Sequence, residues 1–99
     1  MPACEISPEA LADMENISDF IAADDPDAAS RLIDEFFSAF DQLALWPRSG
    51  HFRADLTERE VRFWPVRSYL VVYRELADGV QIVAILHASR DIPSVLEDR

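Results

Sequence analysis

Five residues in the second half of this chain carry side chains suited to chemistry on an anion: Arg62, Arg67, Arg74, His87 and Arg90. Histidine is the side chain that passes protons near neutral pH, and guanidinium groups stabilise the charge that builds on a phosphorane. Such a set can hold and cleave RNA. It serves equally well as structural pairs with Asp91 or Glu75, or as a contact surface for an acidic partner. On chemistry alone, the structural and binding roles outweigh catalysis. Other routes close sooner. A nucleophilic triad needs a hydroxyl or thiol beside a histidine and an orienting carboxylate. Here His51 falls in a loop, and Cys4 falls in a short apolar strand where it reads as a small buried hydrophobe. No Cys/His or acidic cluster has metal-site spacing and there is no glycine-rich phosphate loop, so neither metal nor cofactor is expected.

The charge is uneven along the chain. Residues 1–46 hold eleven acids and only Arg31 as a base, a net of −10, whereas residues 47–99 hold eight of each. Between Arg48 and Arg74, six arginines face three acids, a net of +3. There is no lysine. One explanation is codon composition; the other is a surface that needs planar, bidentate donors. So acidic a chain is poorly suited to nonspecific DNA binding, which works by neutralising phosphates. Ninety-nine residues suffice for one domain with its own core. A single cysteine excludes an internal disulfide and fits a reducing cytoplasm. No apolar run approaches the roughly 20 residues of a membrane span, and no signal peptide is expected.

These residues must be positioned by strands and helices whose signatures are clear. Ala3–Ile6 reads as a short strand. Ser7-Pro8-Glu9 starts a helix expected to reach about Ala23, with an N-cap hydroxyl, proline at the first position and an early acid. Its apolar arc is Ala10, Met14, Ile17 and Ile21, with Leu11 beside it. Glu9, Asp13 and Asn16 lie opposite, and Phe20 falls about 60° outside the arc. Asp25-Pro26 starts a second helix ending near Leu45. Its apolar stripe spans nearly half the circumference, and Ile33 and Phe37 form the edge. Contact with both sheet and first helix accounts for most of that width; a partner groove along the Ile33–Phe37 edge accounts for the rest.

Arg48–Thr57 is expected to be a loop and Glu60–Phe63 a strand, with Trp64-Pro65 as the turn before a long hairpin. Tyr69–Arg74 and Val80–Leu86 are β-branched and aromatic, joined by Asp78-Gly79, a favoured hairpin dipeptide. An even loop places Tyr69, Val71 and Tyr73 on one face with Val80, Ile82, Ala84 and Leu86. Leu70, Val72 and Arg74 then share the other with Gln81, Val83, Ile85 and His87. Both faces are apolar, so helices are expected on one and a partner on the other. Asp91 caps a last helical turn over Ile92–Glu97. The predicted class is α+β: a short first strand, an antiparallel two-helix hairpin, then a three-stranded antiparallel sheet.

That order, with ISPEALADMENISDFIA, LALWPRSG and PVRSYLVVYRE…VQIVAILHASRD, resembles the RelE/ParE toxin superfamily of bacterial toxin–antitoxin modules. The Y-x-x-x-Y strand and closing L-H-x-x-R-D are similar to the ParE branch in particular. The resemblance implies a gyrase inhibitor without catalytic chemistry, and a ParD-like antitoxin that wraps the toxin and represses the operon through its own DNA-binding half. It leaves Phe20, Ile33, Phe37 and Arg74 as antitoxin contacts, and Arg62, Arg67, His87 and Arg90 as possible target contacts. The RelE branch cleaves mRNA on the ribosome, with an arginine where this chain has Leu70 and a tyrosine about where it has Leu96. Only Arg90 matches a functional arginine of that branch. A third class is a degenerate toxin acting only as an antitoxin-binding corepressor.

Overall fold

The computed structural model describes residues 3–99. Strands β1 (Ala3–Ile6), β2 (Arg62–Val66), β3 (Tyr69–Leu76) and β4 (Gly79–His87) form one sheet in the order β1-β4-β3-β2. The last three are antiparallel, as predicted, while β1 runs parallel to β4 and completes a mixed four-stranded sheet. Strand β2 differs from expectation. Trp64-Pro65 lies within it, and the chain turns at Arg67-Ser68, since Val66 pairs with Tyr69. Proline is tolerated because β2 is an edge strand, where a missing N–H leaves no ladder partner unmet. Arg67 absorbs the turn in the left-handed region, with φ of 53°, at a cost of about 1–2 kcal/mol for a non-glycine residue. Its guanidinium is held by Glu35 of the second helix.

The β3–β4 turn is Ala77-Asp78, because Leu76 pairs with Gly79. Gly79 is therefore not a turn residue needing positive φ, and no glycine here has one. Its role is clearance: a Cβ at this position would lie 1.9 Å from the Ala3 carbonyl oxygen. Only glycine lets β1 run alongside.

Farther along, the ladder slips. Val72 pairs with Ala84 but Tyr73 pairs with Ile82, so Val83 is an extra residue, a β-bulge. One extra residue sends every later side chain to the opposite face. The predicted faces are thus right up to Val83 and exchanged from Ala84 onward. Ile85 joins Val71, Tyr73, Val80 and Ile82 in the core under the helices, while Ala84 and Leu86 join Val72 on the reverse side.

Helix α1 (Pro8–Ala22) is capped by Ser7, whose hydroxyl accepts from the Ala10 N–H at 3.1 Å. Helix α2 (Pro26–Leu45) is capped likewise by Asp25, at 3.0 Å from the Ala28 nitrogen. α2 buries Leu32, Phe36, Phe40 and Leu43 against the sheet, each worth about 1.5–3 kcal/mol of transfer free energy. The reverse face, expected to await a partner, is covered by this chain itself. Ile92 and Leu96 of α3 (Ile92–Glu97) close it together with Val61 and Leu56.

Candidate functional site

The over-wide stripe of α2 has a physical outcome. Ile33 and Phe37 meet Leu11 and Met14 of α1 in a groove of about 430 Å³ on the outer side of the helix pair. Ile33 is half-buried against the core, whereas Phe37 is 46% exposed and packs edge-on against Phe40 at 5.6 Å. Glu15 and Asp19 rim the groove. It is apolar inside, acidic at the margin, and open to solvent. The other two residues predicted to share this surface lie elsewhere. Arg74 projects from β3 and donates to Gln81 at 2.6 Å, and Phe20 lines a second cleft at the sheet end.

That second cleft, about 310 Å³, gathers Phe20, Tyr69, His87, Arg90 and the Asp13–Arg99 pair. Phe20 is 80% exposed. Tyr69 stands at its back, with its ring edge-to-face against both Phe36 of the core and His87, at 5.9 and 5.3 Å. The His87 Nδ1 accepts from the Ser89 N–H at 3.1 Å and lies 2.7 Å from the Ser89 hydroxyl, leaving Nε2 for any further partner. The expected Arg90–Asp91 pair does not form. Asp91 instead turns its carboxylate onto Ser94 to cap α3, and Arg90 makes no ion pair among the described residues.

The four predicted target contacts are therefore split. His87 and Arg90 share this cleft. Arg67 lies on the other side of Tyr69, beside Glu35 and Arg31. Arg62 sits at the opposite end of β2, roughly 17 Å away at the rise of an extended strand. There it donates to the Gly50 carbonyl at 3.0 Å and stacks 4.2 Å over Phe52, so its work is to hold the loop after α2.

Pattern reading missed Asp13. Its carboxylate takes a bidentate pair from Arg99, at 2.9 Å to each oxygen, and also accepts from the Ile85 N–H at 3.0 Å. Arg99 in turn donates to the Val83 carbonyl at 3.1 Å. Both side chains are only about 15% exposed. The hydrogen bonds that Arg99 donates to Asp13 raise its pKa against the opposing effect of burial. An acid on what looks like the wet face of α1 is thus drawn inward by a residue 86 positions away. Cys4 is half-buried, and burial followed by the charge of Asp41 pushes its thiol up, away from nucleophilic use.

Comparison with known proteins agrees with this architecture. The sequence profile described as "ParE toxin of type II toxin-antitoxin system, parDE" matches residues 4–92. A Sinorhizobium fredii protein, Y4kP, whose name proposes a toxin, is 36% identical over 88% of both chains. "Toxin RelE2" of Caulobacter vibrioides is 42% identical over 82% of this chain and 89% of its own. A solved structure of the chromosomal ParDE TA system from P. aeruginosa superposes with a TM-score of 0.72 at 20% identity, covering 88% of this chain and 96% of that one. At that identity it speaks for the fold.

Proposed function

This chain belongs to the ParE toxin family of type II toxin–antitoxin systems, and on that premise we propose that it inhibits DNA gyrase by binding, with no catalysis of its own, and is neutralised in the cytoplasm by a ParD-like antitoxin. The observation that carries the antitoxin half is the open groove of Leu11, Met14, Ile33 and Phe37 with its acidic rim. An amphipathic helix laying apolar anchors into that groove, with lysines or arginines at its flanks, satisfies both its shape and its charge. The target half rests on the family and on the cleft at the sheet end, where Arg90 has no carboxylate partner among the described residues.

A second reading, mRNA cleavage on the ribosome, is favoured by one fact: a relative at 42% identity bears the name Toxin RelE2. Against it, the position where that branch carries an arginine is Leu70, which packs on the reverse face of the sheet beside Val72 and Leu86. Inducing the toxin without antitoxin separates the readings. Filamentation with loss of DNA supercoiling supports gyrase, and rapid translation arrest with cut mRNA supports the ribosome. Neither, with antitoxin binding retained, identifies a corepressor.

A further inference from the structure

The bulge at Val83 decides what the sheet-end cleft contains. Without the extra residue, Ile85 and His87 would point to the reverse face, and His87 could not stand beside Tyr69. Two side chains hold the bulge open from outside the sheet. Asp13 accepts the Ile85 N–H, and Arg99 donates to the Val83 carbonyl, so the backbone groups on both sides of Ala84 are satisfied by one ion pair. A bulge leaves ladder groups unpaired, and unpaired buried backbone is costly, so this clamp selects the bulged register over the regular one.

The cleft so built has an unusual composition for so acidic a molecule. Arg90 is a guanidinium with no acidic partner among the described residues, Phe20 is an aromatic ring left 80% exposed, and Tyr69 forms the apolar back wall. The one carboxylate on the lining, Asp13, is neutralised by Arg99. At about 310 Å³ the space is at the small end for binding sites, enough for a short segment and too little for a helix. A long polyanion such as nucleic acid would meet the repulsion of the whole chain, net −10. A peptide bearing one carboxylate would meet mainly Arg90.

We propose that this cleft grips the toxin's protein target through a short segment carrying a carboxylate next to an apolar side chain, and that Asp13 and Arg99 are the positioning residues that build it. The carboxylate takes the Arg90 guanidinium, and the apolar side chain packs between Phe20 and Tyr69. The proposal rests on the reading that the target is a protein, but its chemistry is testable without gyrase.

In the first experiment, N-acetyl-Glu-Phe amide is titrated into the full-length toxin and followed by NMR, beside adenosine monophosphate. The expected result is saturable shifts of the Arg90 guanidinium and Phe20 ring with the peptide at millimolar concentration, lost in Arg90→Glu and Phe20→Ala. Absence of such shifts, or tighter binding of the nucleotide, overturns the assignment. The second experiment tests the clamp. Arg99→Ala and Asp13→Ala should accelerate exchange of the Ile85 amide, weaken peptide binding at least tenfold, and leave antitoxin affinity within about twofold. Asp13→Asn, which keeps an acceptor for Ile85, should retain more of the protection than Asp13→Ala. Equal loss of antitoxin and peptide binding would mean general unfolding and would sink the positioning role. If the parent binds the peptide yet leaves supercoiling untouched, the gyrase reading fails and the cleft stands.

Discussion

The Tyr73 hydroxyl donates to the Pro47 carbonyl at 2.7 Å, tying the chain leaving α2 to the middle of the sheet. The same oxygen accepts from the Gly50 N–H, also at 2.7 Å, so one buried phenol closes both ends of the turn after the helix. Replacing Tyr73 by phenylalanine leaves both backbone groups without this partner and should cost about 1–3 kcal/mol in a denaturant melt. The pH dependence has a definite sign. Burial raises the Tyr73 pKa above the ordinary 10.0, so the folded chain keeps its proton where the unfolded chain loses it. The associated stability is complete below the unfolded value and falls as pH rises toward the folded one. Melts across that alkaline range should decline less steeply in Tyr73→Phe than in the parent.

Phe37→Glu addresses the antitoxin groove. Phe37 is 46% exposed at the margin of the core, so placing a charge there should cost folding about 1 kcal/mol or less. An anchor in the centre of a partner groove is worth about 2 kcal/mol or more, roughly thirtyfold in affinity. Calorimetric titration with antitoxin, beside a thermal melt of the toxin alone, measures both. A variant that simply unfolds would show that Phe37 belongs to the core.

The acids of the helical half bear on rate. With a net of −10 over residues 1–46, association with a basic antitoxin tail should slow by about tenfold between low and physiological salt, while dissociation changes little. Stopped-flow fluorescence gives the two rates separately. A flat salt series would reduce those acids to a solubilising face.

His87 separates binding from catalysis. Its Nδ1 is engaged by Ser89 and its ring by Tyr69, a set of contacts that a glutamine amide can partly replace. His87→Gln should therefore leave growth arrest nearly intact at matched soluble toxin levels. Arg90→Ala should reduce it. A nuclease using His87 as acid or base would instead lose about 10²–10⁴ in rate, visible as loss of mRNA cleavage in the folded variant.

The elements legible from sequence are those whose signature is local. Ser7-Pro8, Asp25-Pro26 and Asp91 announce three helix starts, and all three cap as expected. Phe20 lies off the apolar arc of its own helix and is exposed accordingly. What stayed hidden depends on partners far along the chain. The bulge leaves no mark in Val83-Ala84-Ile85-Leu86, because both faces of the sheet are buried and every side chain in that run suits either one. Asp13 looked wet because a helical wheel sees one helix, and its partner Arg99 lies beyond α3 at the far end of the chain. Trp64-Pro65 looks like a turn because proline holds the residue before it extended. Extended backbone suits a strand equally, and on an outer strand the missing N–H leaves no partner unmet. Gly79 drew attention for its turn chemistry, yet it is fixed by the approach of Ala3.

The parallel edge strand sets the order in which surfaces come into being. Ala3 pairs with Gly79, a separation of 76 residues, and at about 5–20 residues per second the ribosome needs roughly 4–15 s to span it. Throughout that interval β4, the strand on which β1 docks, is not yet complete. The residues of the proposed antitoxin groove all lie within the first 37 positions, whereas Tyr69, His87, Arg90 and Arg99 of the cleft are made last. Vectorial synthesis thus releases the residues of the proposed antitoxin groove first and those of the proposed target cleft at the very end. An antitoxin of the proposed kind, present during synthesis, would meet the groove residues before those of the cleft exist.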